Sequence, residues 1–217
     1  MSRLFDNWFN FEGFNPWKLR TPGDYFYFLL IIAIGVAALA VATKVLAKRR
    51  THDIAVQRAA KKLKKLGGRG AECYCGKTVR TKKADYPCDL ICVAQDKVYI
   101  VRVYHFGLEV YGGRQEPLWK FRYYKEEVTE QNPLPALEER AVALSQLFVK
   151  AGVRNVDVEP LIVFADIYGT TRFYLPGAER LAVSIDFLKK WRKDRPLGRK
   201  GGYDIVEAKK ALEASFE

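Results

Sequence analysis

The sequence predicts an α/β domain of the α+β kind, built on a central mixed sheet and carried behind one N-terminal membrane-spanning helix. Three observations predict it. From Phe26 to Thr43 no residue is charged. Beyond Lys48, helical and strand-like patterns follow in the order helix, three or four strands, helix, strand, strand, helix. The helical stretches carry an apolar stripe on one face, so each needs a surface to cover it.

The span is placed at residues 25–47. As a helix rising about 1.5 Å per residue, such a run crosses a hydrocarbon core of about 30 Å. Tyr25 and Tyr27 stand where an interfacial aromatic belt belongs, with Trp17 further out. A cleaved signal peptide fits less well, because the run starts late and exceeds a typical apolar region of about 7 to 15 residues. Residues 1–24 hold Phe5, Trp8, Phe9, Phe11, Phe14 and Trp17 among helix breakers, Pro22-Gly23 included. They are expected to form an aromatic tail lying at headgroup level, or to contact another membrane protein. Positive charge is concentrated after the span, at Lys44, Lys48, Arg49 and Arg50 and beyond. The positive-inside bias therefore makes this a single-pass chain with its C-terminal domain in the cytoplasm.

Residues 48–70 read as a basic juxtamembrane helix. Ile54, Ala55, Ala59, Leu63 and Leu66 share a face, the lysines lie largely opposite, and Gly67-Gly68 stops it. The formal net charge is +12 over 217 residues. Lys48, Arg49, Arg50, Lys61, Lys62, Lys64 and Lys65 are the candidates for binding anionic lipid, and nucleic acid second.

The main domain is expected over residues 71–193. Strands are read at 72–81, 88–95 and 98–104, with a tight turn at Asp96-Lys97 and a short strand at 108–111, forming an antiparallel meander. Residues 114–132 read as a loop or ragged strand. A helix follows at 136–151, then an apolar strand at 161–165, a short strand at 181–183, and a helix capped by Ser184 and running through Trp191. Residues 194–217 are a basic linker and a last helix capped by Asp204. The four cysteines, Cys73, Cys75, Cys88 and Cys92, do not have zinc-ribbon spacing. In a hairpin turning near Lys83 the two pairs could approach one another, which makes them weak metal candidates. Small core hydrophobes are the stronger reading.

One series of features is more specific. It reads CDLICVAQDKVYIVRVYHFGLEVYGG, then EPLWK, then NPLPALEERAVALSQLF, then LIVFAD. This resembles the nuclease-related domain, NERD, a branch of the restriction-endonuclease-like superfamily, and the resemblance covers about residues 53–193. It implies a restriction-endonuclease-like fold, in which an Asp in one strand and a Glu-x-Lys at the end of the next hold magnesium and steady the attacking water. Asp89 matches the family aspartate. The Glu-x-Lys position falls on Arg102-Val103-Tyr104. A guanidinium stands where a cation should bind, so an Asp89–Arg102 ion pair is expected in place of the metal site.

The expected function is therefore a membrane-anchored, catalytically inactive NERD-like module. It would act as a binding or scaffold subunit, with membrane lipid, a protein of a membrane complex or nucleic acid as partner, and no cofactor. The alternative is an active metal-dependent nuclease, using magnesium, whose site has migrated to Glu109, Glu72 or His105.

Overall fold

The computed structural model describes residues 22–49, 51–81, 84–123, 126–166, 170–194 and 202–216. The chain divides into two compact units, residues 1–48 and 49–217. In the first, helix α1 (Pro22–Arg49) is longer than the expected span. It takes in Pro22, which suits a first helical position because its missing N–H would have no partner there. Tyr27–Val45 is long and apolar enough to cross a membrane, with a mean hydropathy of 2.5 and none of it buried. Most of the aromatic tail lies outside the described residues.

The second unit is a mixed α/β domain. Helix α2 (His52–Leu66) is followed by strands β1 (Glu72–Arg80), β2 (Asp85–Val93), β3 (Val98–Tyr104), β4 (Glu109–Tyr111), β5 (Leu118–Tyr123) and β6 (Glu126–Gln131). Helix α3 (Pro133–Lys150) leads to β7 (Val158–Phe164), β8 (Arg172–Tyr174) and β9 (Ala182–Ser184). A 3₁₀ turn, α4 (Leu188–Lys193) and α5 (Ile205–Glu213) complete it.

Two mixed sheets form. The first has the order β1-β2-β3-β7-β9, antiparallel through β3 and parallel from β3 to β9. The second has the order β6-β5-β4-β8. The meander therefore ends at β3, and β4 belongs to the second sheet. The stretch read as a loop or ragged strand, 114–132, holds β5 and β6. In β5 Trp119 and Phe121 are buried while Leu118, Lys120 and Arg122 face out, the period of a one-sided strand.

Each face of the first sheet has its own core. Leu90, Cys92, Val101, Val103, Leu161 and Val163 pack with Ala55, Ala59 and Leu63 of α2. Ile91, Ile100, Tyr104, Ile162 and Phe164 pack on the other side with Leu134, Leu137 and Leu144 of α3 and with the second sheet. Helix α2 is thus part of the domain core, and α5 also joins it through Ala208 and Leu212.

The Gly-Gly, Trp and Asn-Pro features form one joint. Gly112 has φ 151°, and a Cβ there would stand 2.4 Å from Cδ1 of Trp119, whose side chain is fully buried. The Trp119 indole N–H donates to the Gly113 carbonyl at 3.0 Å. The Asn132 amide donates to the carbonyls of Gly113, Arg114 and Glu116, and its oxygen accepts the N–H of Leu134. That cap starts α3 at Pro133, earlier than the Pro135 boundary suggested. Asp204 caps α5 as expected, whereas the Ser184 side chain makes no capping bond.

Candidate functional site

The candidate site lies where β2 and β3 part. Their pairing begins at Leu90–Val101, fixed by the turn in which Ala94 N–H donates to the Lys97 carbonyl. Asp89 is the first β2 residue beyond that pairing. Its Oδ2 accepts the N–H of Val103 at 2.9 Å, in the place a strand carbonyl would have taken. Its Oδ1 accepts from Nη1 of Arg102 at 3.1 Å. The expected Asp89–Arg102 pair is therefore present. The aspartate side chain is 13% exposed and the arginine 39%, so the pair sits at the mouth of a cleft and not inside the core.

An imidazole completes this arrangement. His52, at the start of α2, brings Nε2 to 3.7 Å from Asp89 Oδ1. Local sequence marks it only as an exposed helix-start residue. Its ring centroid is 6.0 Å from that of His105. Burial, and then the neighbouring His52, lower the His105 pKa, while the buried Asp166 at the end of β7 opposes them.

Tyr104 is a core residue. Its ring stacks on Phe164 and packs against Phe106 and Phe121, and burial pushes its phenol up to about 12. The Arg102 guanidinium lies 5.5 Å from its ring centroid, within cation–π range. Burial pulls the Arg102 pKa down, but Asp89, Tyr104 and Glu130 outweigh it, and the group ends above its ordinary value. Arg102 stays a cation at any working pH.

The cleft itself holds about 490 Å³. Its chemistry comes from His52, Lys77, Asp89, Arg102 and Arg140, with Asp53 on the rim. Asp89 is already engaged by Arg102. Among the described residues neither Lys77 nor Arg140 has a carboxylate partner, so apart from Asp53 the unpaired charges of the cleft are positive. Gly76, with φ 59°, is skipped between the Cys75–Leu90 and Lys77–Cys88 pairs, opposite Asp89. The strand faces change there: Cys73 packs toward α2, whereas Val79 belongs to the α3 core. Such a local break re-aims the side chains beside it; Lys77 lines the cleft, with its ammonium 5.7 Å from the centroid of the Phe216 ring.

Of the three residues that could have restored a metal set, His105 lies near His52, and the two glutamates lie elsewhere. Glu109 faces Arg122, Arg172 and the Tyr111 hydroxyl in the second sheet. Glu72 is held by Lys64 and Lys209. Among the described residues no three His, Cys, Asp or Glu side chains converge as a metal group. The four cysteines do not gather as the weak zinc reading required. Cys73 and Cys92 meet across the strands with sulfurs 2.8 Å apart, while Cys75 is exposed opposite Leu90 and Cys88 is buried opposite Lys77.

The basic candidates divide in the same way. Lys62 Nζ donates to the Ile185 carbonyl at 2.7 Å and lies 3.7 Å from Asp186. Lys64 bonds Glu72 at 2.6 Å. Lys61 and Lys65 are exposed. Lys48 and Arg49 end α1, and Arg50 lies outside the described residues. Sequence reasoning missed His52 and Arg140 as cleft residues. Their common signal is only that each is a polar residue on a helix covering the sheet, which many surface residues share.

No curated protein and no solved structure matches the chain. The family model for the nuclease-related domain matches residues 51–165, which takes in α2, the Asp89 cleft, the Gly-Trp-Asn joint and β7. By that match, over just more than half of its length, the chain belongs to the nuclease-related domain (NERD) family.

Proposed function

We propose that this chain is a membrane-anchored nuclease-related module that binds phosphate-bearing ligands, nucleic acid first, without cleaving them. The Asp89–Arg102 pair carries the reading. A divalent ion at Asp89 would have to displace a guanidinium bonded at 3.1 Å, and among the described residues no three His, Cys, Asp or Glu side chains converge there as a metal group. The same guanidinium, with Lys77 and Arg140, suits a phosphate. The apolar helix α1 supplies the anchor, and the basic bias after it favours a cytoplasmic domain. The exposed Lys61 and Lys65 are the residues on α2 left to meet anionic lipid. The nuclease-related fold then serves as a scaffold that holds a partner near the membrane.

The experiment uses the full chain in nanodiscs with single- and double-stranded DNA and RNA. Binding is followed by anisotropy in EDTA over a salt series, and cleavage is assayed with magnesium and manganese. The expected result is binding that weakens steeply with salt, is lost in a Lys77→Glu, Arg140→Glu double variant, and is accompanied by no cleavage. Metal-dependent cleavage that Asp89→Ala abolishes would overturn the inactive reading. Absence of binding at low salt would remove nucleic acid as the partner.

A further inference from the structure

Cys73 and Cys92 are direct cross-strand partners in the β1–β2 hairpin, and the proposed ligand cleft makes no use of them. The Cys73 thiol donates to the Cys92 sulfur at 2.8 Å, and neither is in a disulfide. Directly paired residues of antiparallel strands have Cα atoms about 4.5 or 5.5 Å apart, and disulfides form over about 4.4–6.8 Å. Either kind of pair can therefore close by side-chain rotation, with the strands left in register.

The two thiols are unequal in access. Cys92 is buried and Cys73 half-buried, and Lys64, on the neighbouring helix, interacts electrostatically with both. The hydrogen bond shared with Cys73, and then burial, raise the Cys92 thiol well above its ordinary value. Cys73 is thus the thiol that a small reagent reaches first. That is the division of labour between an attacking and a resolving cysteine.

The geometry points to Cys73 and Cys92 as a reversible dithiol–disulfide site that reacts with small disulfides of the glutathione class. The Cys73 thiolate attacks one sulfur of glutathione disulfide, forms the mixed disulfide and expels a glutathione thiolate. Cys92 gives its proton to that thiolate and attacks the Cys73 sulfur, expelling the second glutathione. Two protein thiols are oxidised, and one glutathione disulfide becomes two glutathiones. Cys75 and Cys88 take no part, since each faces a non-cysteine across the hairpin.

The test incubates the full chain in nanodiscs with glutathione disulfide, blocks free thiols with light iodoacetamide under denaturing conditions, reduces, and blocks again with the heavy reagent. Fragment ions then assign the label at each cysteine. Heavy label confined to positions 73 and 92 is the expected result, with a protein mass about 2 Da lower before reduction. A Cys75→Ser, Cys88→Ala chain should still close the bridge, and its thermal midpoint should rise by about 5 °C on oxidation. Cys73→Ser should remove that rise. Glutathione retained on Cys73, a bridge through Cys75 or Cys88, or thiols 73 and 92 still light-labelled in a folded chain would each overturn the assignment. The wild-type labelling decides the question even if the double variant does not fold.

Discussion

Arg102→Glu inverts the one charge that separates this cleft from a metal site. In the native chain Arg102 sits 3.1 Å from Asp89. Two unit charges at about 4 Å interact by about 4 kcal/mol near a protein surface. Arg102 is 39% exposed, so solvent screening reduces the net worth of the pair to about 1–2 kcal/mol. Replacing attraction by repulsion costs a similar amount again, limited because one carboxyl can take up a proton. The metal-free variant should therefore lose about 2–4 kcal/mol, or about 5–15 °C in thermal midpoint. Magnesium or manganese at about a hundred times its dissociation constant should return about 2.7 kcal/mol of that. The assay is thermal denaturation of the full chain with EDTA or with either metal. Arg102→Gln, which breaks the pair without adding a ligand, serves as the control and should show no metal response. An Arg102→Glu chain that is destabilised but indifferent to both metals would refute the claim that Arg102 is what excludes the ion. An equal metal response in the native chain would refute it more directly.

Three other perturbations probe the fold around the cleft. Gly112→Ala drives a Cβ into the Trp119 ring and should cost about 2–4 kcal/mol in denaturant unfolding, whereas Gly152→Ala meets no atom within 4 Å and should cost less, its price being only its φ of 79°. Asn132→Asp keeps the cap on Leu134 but turns a buried carboxylate oxygen toward three carbonyls, so it should be destabilised at least as much as Asn132→Ala, the latter by about 2–4 kcal/mol in the same assay. His105 has a folded pKa below its ordinary 6.5. The unfolded chain then binds more protons just below that value, so the contribution is complete above about pH 6.5 and declines as pH falls through it. His105→Gln should flatten that part of a stability–pH profile, and an unchanged profile would mean the burial of His105 does not matter.

The sequence made the strand pair at Asp89 legible because a tight turn fixed its register. With Asp96-Lys97 as the turn, Asp89 and Arg102 could only face each other across β2 and β3, and they do. The faces of α2 and α3 were legible for the same kind of reason, a long local period. The second sheet was harder. Strand β6 is EEVTEQ, exposed nearly throughout, and is a strand only because β5 pairs with it. Strand β8 is three residues held by parallel pairing to β4. Trp119 and Phe121 did carry a two-residue period, but three polar neighbours and a short run obscured it. The cleft residues His52 and Arg140 depend on how α2 and α3 cross the sheet, which no local pattern encodes.

Helix α2 changes what the basic run means. From sequence, its lysines formed largely one face, offered to anionic lipid first and nucleic acid second. In the fold, Arg58 donates to the Ala165 carbonyl, Lys62 to the Ile185 carbonyl, and Lys64 to Glu72. These cations reach around the helix to satisfy the ends of β7 and β9 and the start of β1. A buried or half-buried carbonyl without a donor is costly, so this part of the charge is retained for stability whatever the partner is. On α2 only the exposed Lys61 and Lys65 remain for an anionic surface, at about 1 kcal/mol each. Two such residues cannot hold a domain on lipid by themselves, and they need not, since an apolar helix of membrane-spanning length precedes them. Charge neutralisation at Lys61 and Lys65 should therefore leave the chain in the membrane fraction, whereas removal of residues 22–45 should release it. Release by the lysine changes alone would mean that the anchor is electrostatic and that α1 does something else.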